Sequence, residues 1–423
     1  MRVLVGAMVV SSERSKDSGH PMPLVKTRLL SYLRVVRSYF FTPEKGENME
    51  ILYENVLLLF QNGGWQRVVM WIIGAVLIYL AIKKDMEPTL LLPMGFGAII
   101  VNIPGVYDGA LKTLFDAGIS NELFPLILFI GIGAMIDFGP LLSNPKLMIF
   151  GAAAQFGIFF TFCLASIFFS LPEAASIGII GAADGPTAIV VAMQLLGKDS
   201  AITAAIMVAA YSYMALVPVI QPPIIKLMTT KKERLIRMPY RPKSVSKTVR
   251  ILFPIVITIV AGLIAPDSID LIGFLMFGNL IRECGVLDSL SETAQKVLAN
   301  LITIFLGITV ATQMTADKFL TFNTLLILAL GLFAFIFDTV GGILVAKIIN
   351  LFSKEKLNPM IGAAGISAFP MAGRVVHKMG LKEDPQNFLL MHSIGVNVSG
   401  QIASVIAGGL ILSFASEFGK FLG

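Results

Sequence analysis

The sequence predicts an all-α polytopic membrane protein made of two inverted repeats, each with about five transmembrane helices and a re-entrant broken hairpin. Of the 423 residues, 56% are hydrophobic and only 14% are charged, whereas soluble domains carry about 25% charged residues. The apolar residues form long continuous runs, which are typical of membrane helices and not of barrel strands. Two glycine-alanine segments interrupt these runs at matching places in the two halves.

Apolar runs follow one another from residue 66 onward, separated by short turns. They lie at 68–82, 90–103, 123–140, 147–169, 175–196 and 201–225 in the first half, and at 251–265, 268–281, 297–313, 322–349, 358–378 and 388–413 in the second. Because a membrane helix needs about 20 apolar residues, the shorter runs predict tilted, broken or partly interfacial segments.

The two halves share short motifs in the same order. Three pairs match at an offset of 181 residues and one at 176: Gly181-Ala182-Ala183 with Gly362-Ala363-Ala364, Phe96-Gly97 with Phe277-Gly278, Tyr211-Ser212 with His392-Ser393, and Ile130-Gly131-Ile132 with Leu306-Gly307-Ile308. Each pair alone is weak evidence. Four pairs in order at nearly one offset predict a structural duplication.

Basic residues between the halves predict the orientation of the repeats. One loop contains Lys226, Lys231, Lys232, Arg234, Arg237, Arg241, Lys243, Lys247 and Arg250. The positive-inside rule places it in the cytoplasm, and nothing else in the chain indicates nucleic-acid binding. If each glycine-rich segment is a re-entrant hairpin, each half crosses the membrane an odd number of times, and the halves are inverted. If both segments cross fully, the halves are parallel, and Lys354 and Lys356 move outside, against the rule.

The domain boundaries follow from these features. We expect a basic, poorly ordered N-terminal extension at 1–48, an amphipathic segment at 49–65, the first repeat at 66–226, the basic cytoplasmic loop at 227–250 and the second, inverted repeat at 251–423. Met49 opens the amphipathic segment and is an alternative natural start. The short apolar run near the N-terminus does not fit a signal peptide.

The first glycine-alanine segment carries a carboxylate, in Gly181-Ala182-Ala183-Asp184-Gly185-Pro186-Thr187. A charge at bilayer depth costs about 2.5–3.5 kcal/mol on insertion scales, so it is rarely present without a role. The Gly-Pro pair breaks a helix and frees carbonyl oxygens. With the Thr187 hydroxyl, these oxygens suit a hard cation, Na⁺, for which a proton on Asp184 would compete. The alternative is a helix kink with a neutral, hydrogen-bonded Asp184.

The second glycine-alanine segment offers polar partners. Asn358 opens it, Ser367 follows it, and Arg374 comes seven residues later. Arginine is always charged and binds carboxylates bidentately, which suits an anionic substrate. The alternative role of Arg374 is that of a snorkelling residue at the membrane interface.

Further polar groups lie within apolar spans. Asn397, Ser399 and Gln401 fall within two turns of the last span, either as part of the ion site or as hydrogen-bonding contacts between helices. Tyr211–Tyr213 either line the same cavity or pack as core aromatics. Asp338 is a secondary ion-site candidate for the same reason as Asp184.

Other chemistry has little support in the sequence. Cys163 and Cys284 form no CxxC motif, and the three histidines are widely dispersed, so no transition-metal site is predicted. The absence of a P-loop motif argues against ATP hydrolysis by this chain.

The motifs together resemble a known family. They are Gly181 to Ile189 (GAADGPTAI), Ala210 to Pro218 (AYSYMALVP) with Gln221-Pro222-Pro223, Asn358 to Pro370 (NPMIGAAGISAFP) and Asn397 to Gln401 (NVSGQ). This set resembles the β subunit of the sodium-pumping biotin-dependent decarboxylases, which act on oxaloacetate, methylmalonyl-CoA, glutaconyl-CoA or malonate. The resemblance runs from about Met49 to the C-terminus.

That resemblance implies a role within a larger complex. In the family, a carboxyltransferase α subunit moves a carboxyl group onto biotin, which a biotin carrier protein holds, and a small single-span membrane subunit is a further partner. Carboxybiotin docks on the cytoplasmic side of the β subunit, where its decarboxylation consumes a proton and drives Na⁺ outward. The implied location is the bacterial cytoplasmic (inner) membrane, with membrane lipid around the chain. This chain has no Met-Lys-Met biotinylation site, so the carboxybiotin must belong to a partner.

The resemblance and the residue types together assign roles to individual residues. Arg374 and Tyr213 are expected to be catalytic, Arg374 by holding the carboxylate of carboxybiotin and Tyr213 by moving a proton. The expected Na⁺-binding residues are Asp184, Thr187, Asn358, Gly362, Ser367, Asn397 and Ser399, with the ion itself at Asp184, Ser367 and Asn397.

A stand-alone Na⁺-coupled secondary transporter or Na⁺/H⁺ antiporter is the alternative function. Inverted repeats with broken helices serve such carriers equally well, and a fold alone does not separate the two classes. A biotinylated protein that co-purifies with the chain would favour the decarboxylase.

Overall fold

The computed structural model describes Tyr53, Val56, Leu57 and residues 64–84, 87–104, 109–239 and 244–422. The expectations for residues 1–48, and for most of 49–65, lie outside the described residues. The chain divides into two compact units, Met1–Val68 and Val69–Gly423. The described part of the first unit comprises three residues and the start of α1, and the second contains everything discussed below.

Every regular element in the described ranges is helical. The α-helices are α1 Gly64–Lys84, α2 Pro88–Val101, α3 Ala110–Gly118, α4 Leu123–Met135, α5 Gly139–Ser143, α6 Met148–Ala154, α7 Phe156–Ala165, α8 Leu171–Gly178, α9 Gly185–Leu196, α10 Ala201–Met228, α11 Lys231–Arg234, α12 Lys247–Ile264, α13 Ile269–Cys284, α14 Asp288–Glu292, α15 Ala299–Val310, α16 Ala316–Phe319, α17 Phe322–Phe352, α18 Met371–Glu383 and α19 Leu390–Leu422. Short 3₁₀ turns occupy Pro145–Leu147, Ile179–Ala182, Pro266–Ser268, Ala311–Gln313 and Pro359–Gly365, and a π-helical turn occupies Thr293–Leu298.

The predicted polytopic membrane character is confirmed. Within the described residues, seven helical stretches are long and apolar enough to cross a membrane: Gly64–Lys84, Pro145–Ala165, Ala201–Met228, Lys247–Ile264, Asp288–Gln313, Phe322–Phe352 and Leu390–Ala415. This is fewer than two repeats of about five helices require, because several predicted spans form shorter helices. The 14-residue α2 and the 13-residue α4 are examples.

The predicted run at 123–140 is shorter and more bent than its composition indicates. The helix α4 ends at Met135, and the backbone is extended at Ile136. The preceding α3 meets α4 at an angle of 66°. Between them, Glu122 adopts a left-handed conformation with φ of 63°, which no continuous helix contains. Apolar composition therefore located this segment but not its break.

The two halves pack against each other through equivalent glycines. Gly97 of α2 lies so close to α15 that a Cβ would be 2.8 Å from the carbonyl oxygen of Ile308. A Cβ on Gly278 of α13 would lie 2.0 Å from the carbonyl oxygen of Ile130 in α4. Gly97 and Gly278 are one of the sequence pairs, and α4 and α15 carry another. These two contacts place the matched glycines of the two halves against helices of the opposite half.

The interrupted segments lie in the core of the second unit. Every residue of 174–193 and of 358–368 is buried. The first segment packs on α7 and α17, since Gly181 contacts Ile158 and Ala334, and the second packs on α6 and α17 through Gly365 and Gly362. Non-helical backbone at membrane depth is stable only when protein or a cavity surrounds it, and both segments meet this condition.

Candidate functional site

The break between α8 and α9 determines where Asp184 lies. The chain turns through Ile179–Ala182, adopts a left-handed conformation at Ala183 with φ of 52°, and is extended at Asp184. A non-glycine residue in this region costs about 1–3 kcal/mol, a strain that is typical of functional sites. Pro186 then starts α9, where its missing N–H is harmless. The left-handed Ala183 and the helix-starting Pro186 therefore hold the Asp184 carboxylate at the N-terminus of α9, inside the protein.

The Asp184 carboxylate is 3% exposed. Its Oδ2 accepts hydrogen bonds from Thr187 Oγ1 at 2.6 Å and from Gln401 Nε2 at 3.0 Å. No ion pair to Asp184 occurs among the described residues. An unpaired buried carboxylate costs several kcal/mol, so this group is expected to bind a cation or a proton.

The second interrupted segment meets the first directly. The backbone N–H of Ser367 donates to the carbonyl oxygen of Ala182 at 3.3 Å, and the Ser367 hydroxyl donates to the same oxygen. Asn397 of α19 donates from Nδ2 to the carbonyl oxygen of Ile366 at 2.6 Å. Its Oδ1 is buried and has no donor within the described part of the chain. That oxygen is a free acceptor close to the junction of the two breaks.

The structure thus brings together four of the predicted ion-site residues. Asp184 and Thr187 come from the first break, Ser367 follows the second, and Asn397 comes from α19. The carboxylate, two hydroxyls and one amide oxygen are hard oxygen donors, which suit Na⁺. Among the described residues, no three His, Cys, Asp or Glu side chains are placed so that they could hold a metal ion together.

Three predicted Na⁺-binding residues have other contacts. Asn358 donates to the carbonyl oxygens of Arg234 and Ile236, both at 2.9 Å, and accepts from the backbone N–H of Met360. It therefore joins the basic loop to the second segment. Gly362 packs backbone to backbone against α17. Ser399 donates to the carbonyl oxygens of Val396 and Leu147.

The helix period explains the position of Ser399. Asn397 and Gln401 are four residues apart on α19 and share one face, whereas Ser399 lies about 200° from Asn397 around the axis. On that side a Cβ on Gly151 of α6 would lie 2.6 Å from the Ser399 hydroxyl oxygen. The side chain therefore points away from the face that carries the junction residues.

Neither of the two predicted catalytic residues hydrogen-bonds to Asp184 in the described part of the chain. The hydroxyl of Tyr213 donates to the carbonyl oxygen of Leu328 in α17. Arg374 lies in the first turn of α18, and its side chain is exposed. Its guanidinium forms no hydrogen bond or ion pair within the described part of the chain. An exposed, unpaired guanidinium is available to an anion.

The sequence matches a family model across most of its length. The model, described as the Na⁺-transporting oxaloacetate decarboxylase beta subunit, aligns with residues 66–415. The chain belongs to this family. The predicted family resemblance is thereby confirmed.

Members acting on two different substrates are similar to the chain. It is 44% identical to the oxaloacetate decarboxylase beta chain of Haemophilus ducreyi, over 86% of this chain and 99% of the relative. It is 43% identical to the corresponding chain of Klebsiella pneumoniae, over 87% and 99%. It is 48% identical to the methylmalonyl-CoA decarboxylase subunit beta of Propionigenium modestum, over 82% and 94%. Because the identities to the two kinds of relative are so close, they do not indicate which of the two substrates is used.

Two residues of this β-subunit site were missed or undervalued by sequence reasoning. Gln401 contacts the Asp184 carboxylate directly, and its spacing of four from Asn397 was the available signal. Tyr211 also lies beside the first break, because its ring fills the space next to Gly185. The Tyr211 hydroxyl is buried without a hydrogen-bond partner in the described part of the chain.

A separate cavity of about 560 Å³ opens beside the basic loop of this β subunit, and Arg237, Lys356 and His392 are among its lining residues. Arg374 does not line it. Arg237 also forms an ion pair with Asp384, and this hydrogen bond lowers the pKa of the Asp384 carboxyl. The charge of Arg237 at this cavity is thus already balanced within the chain.

Proposed function

We propose that the chain is the membrane subunit of a decarboxylase sodium pump. It couples the decarboxylation of carboxybiotin, held on a partner carrier, to outward Na⁺ transport, and the reaction consumes a proton. One observation carries the proposal: an unpaired, buried Asp184 lies where two interrupted segments from opposite halves of the chain meet. Such segments at corresponding positions mark the ion site in transporters built from repeats.

Na⁺ is the cargo of this site. The Asp184 carboxylate supplies the charge, and the oxygens of Thr187, Ser367 and Asn397 are its neutral ligands, as hard cations require. Gln401 orients the carboxylate through its hydrogen bond to Oδ2. Because the site draws on both halves, a movement of one half relative to the other would open or close it. Asn358, Gly362 and Ser399 support this site through the packing described above.

Arg374 and Tyr213 carry the proposed decarboxylation chemistry. Arg374 is exposed and unpaired within the described part of the chain, so its guanidinium can hold the carboxylate of carboxybiotin. Tyr213 is the proposed proton donor, and to act it must release the carbonyl of Leu328. Tyr211, which has an unpartnered hydroxyl beside Gly185, is the alternative donor.

The proposed topology is a pair of inverted repeats of about five spans, each with a re-entrant hairpin. The reciprocal packing of Gly97 and Gly278 on the other half supports a pseudo-two-fold relation. The loop at 227–250 is cytoplasmic by its charge. The protein is proposed to lie in the bacterial inner membrane with a carboxyltransferase α subunit, a biotin carrier protein and a small single-span subunit.

Reconstitution tests the proposal. The chain, purified with its partners, is placed in liposomes, and Na⁺ movement is measured with oxaloacetate or methylmalonyl-CoA, with and without avidin. Avidin binds biotin, so it should stop Na⁺ movement and decarboxylation together. Na⁺ transport by the chain alone, without any biotin carrier, would instead establish a stand-alone carrier.

A further inference from the structure

A second carboxylate, Asp338, lies inside the membrane region. It is near the middle of α17 and is 1% exposed. Among the described residues, Asp184 and Asp338 are the only acidic side chains that are buried. The sodium site accounts for the first and not for the second. A buried carboxylate without a counter-charge must carry a cation or a proton, since the bare charge costs several kcal/mol.

The carboxylate of Asp338 lies between two helix interruptions. A Cβ on Gly157 would lie 2.5 Å from Oδ1, and a Cβ on Gly181 would lie 2.6 Å from Oδ2. The backbone N–H groups of Gly157 and Ile158 face the carboxylate from the first turn of α7. Neither oxygen reaches hydrogen-bonding geometry with a partner in the described part of the chain. The group is therefore enclosed and incompletely satisfied, and it touches the segment that carries Asp184.

The surroundings of the two carboxylates favour different ligands. Asp184 has the Thr187 hydroxyl beside it and the unpartnered oxygen of Asn397 close to its junction, as Na⁺ requires. Asp338 instead faces N–H donors, which repel a metal ion but stabilise a carboxylate anion. A proton needs no further oxygen ligand.

We propose that Asp338 is a proton-binding site linked to the sodium site through the segment Ile179–Asp184. This inference rests on the proposed function, because the bound proton is the one that decarboxylation consumes. Proton uptake forms an O–H bond at one carboxylate oxygen. Its release restores the carboxylate, and the proton passes through Tyr213, the proposed donor, to the biotin nitrogen from which CO₂ departs.

Other titratable groups on the elements packed against α17 do not explain such a titration. They are Tyr211, Tyr213 and Lys226 on α10, Cys163 on α7, Glu173 on α8 and Asp184 at the start of α9, with Lys347 on α17 itself. Lys347 pairs with Glu233, and Glu173 accepts hydrogen bonds from Ser170. None of these groups contacts the Asp338 carboxylate among the described residues.

Infrared spectroscopy tests the protonation without any variant. The whole complex is labelled with ¹³C-aspartate and measured at saturating Na⁺, so that Asp184 is occupied and ionised. We expect a protonated-aspartate band that titrates with pH. If no such band is present under saturating Na⁺, the proposal is overturned.

Variants assign the band and separate a proton site from a structural one. Asp338→Asn and the smaller Asp338→Ser remove the ionisable group, and Thr339→Val is the matched control, because Thr339 is equally buried and bonds only within α17. Both neutral variants should lose the band and lower decarboxylation about 100-fold or more, as expected when a proton-transfer group is removed. Thr339→Val should keep the infrared band and the wild-type rate of decarboxylation. If Asp338 only caps α7, the Asn variant will keep the wild-type pH profile and lose stability alone, which contradicts the proposal.

Sodium binding distinguishes this proposal from the proposed function. Na⁺ stabilises a protein that binds it, so the unfolding temperature of the complex should rise with Na⁺ concentration. In Asp338→Asn the unfolding temperature should still rise with Na⁺, and the half-saturating Na⁺ concentration should change by about threefold at most. If Asp184→Asn also retains this rise, the sodium site fails while the proton site stands. If the rise depends on Asp184 but no proton is found at Asp338, only the present inference fails.

Discussion

At the scale of single residues, the important feature of Asp184 is that it has no cationic partner in the described part of the chain. Its partners are a hydroxyl and an amide N–H, and no cationic side chain pairs with it in the described part of the chain. A fixed lysine or arginine would neutralise the carboxylate permanently. With uncharged partners only, the charge is left for a mobile cation. In the proposed site, the unpartnered oxygen of Asn397 would add a ligand without adding charge.

Replacing Asp184 with Asn should abolish Na⁺-dependent decarboxylation and leave assembly intact. The change removes the only charge of the site, a loss of about 3–5 kcal/mol, or 100-fold or more. The measurement is the decarboxylation rate of the purified complex as a function of Na⁺. Asp199→Asn, the same change at the exposed end of the same hairpin, is the control and should behave like the wild type. If Na⁺ stimulates Asp184→Asn as strongly as the wild type, Asp184 is not part of the ion site.

Replacing Arg374 with Ala should impair the reaction with carboxybiotin more than Na⁺ binding. A hydrogen bond to a charged group is worth about 1.5–3 kcal/mol, so the carrier concentration at half-maximal rate should rise about tenfold or more. Lys378→Ala, one turn later on α18 and also exposed, is the control. An equal loss in carrier and Na⁺ affinity, or no loss, would argue against a substrate role for Arg374.

The sequence identified some site residues and not others, for physical reasons. A carboxylate in an apolar run is conspicuous, so Asp184 could be found without a structure. Gln401 lies 217 residues further along the chain, and nothing local shows that the two side chains meet. Ser399 was chosen by sequence proximity to Asn397, although helix geometry sends the two side chains to different sides. Motif spacing thus locates a site, but long-range packing decides its members.

At the scale of elements, close backbone contacts hold the interrupted segments in place. Gly342 of α17 and Gly362 of the second segment contact each other through their backbones, and neither has room for a Cβ. Their small size lets a non-helical segment lie directly on a long helix. The glycines of the second interrupted segment therefore permit close packing as well as the change in chain direction.

Replacing Gly342 with Ala should destabilise the protein as much as Gly362→Ala. In each variant the new methyl group meets the backbone of the other segment, and overpacking typically costs about 1–3 kcal/mol. The unfolding temperature of the purified complex is the measurement. Gly273→Ala in α13 has nothing within 4 Å of the new Cβ and should be neutral. A strong loss of Na⁺ affinity in Gly362→Ala with unchanged stability in both would instead indicate a direct role of Gly362 in ion binding.

At the scale of the whole molecule, both halves of the chain contribute residues to the candidate sodium site. The first supplies Asp184 and Thr187, the second supplies Ser367 and Asn397, and Ala182 and Ser367 join them. Equivalent glycines pack each half on the other in the same way. The proposed duplication could be inferred from the sequence because close packing restricts these positions to glycine. The number of full spans could not, since apolar composition does not report where a helix bends.

The ends of the two hairpins should lie on opposite sides of the membrane. In a Cys163→Ala, Cys284→Ala background, Asp199→Cys and Lys354→Cys each place one thiol at an exposed position. A membrane-impermeant maleimide should label position 199 in intact cells and position 354 only in inverted vesicles, because inverted repeats with re-entrant hairpins bring the second hairpin back to the cytoplasm. Labelling of both positions from outside would mean that both segments cross fully and that the halves are parallel. That topology would leave the basic residues around 354 outside, where the charge distribution of membrane proteins disfavours them.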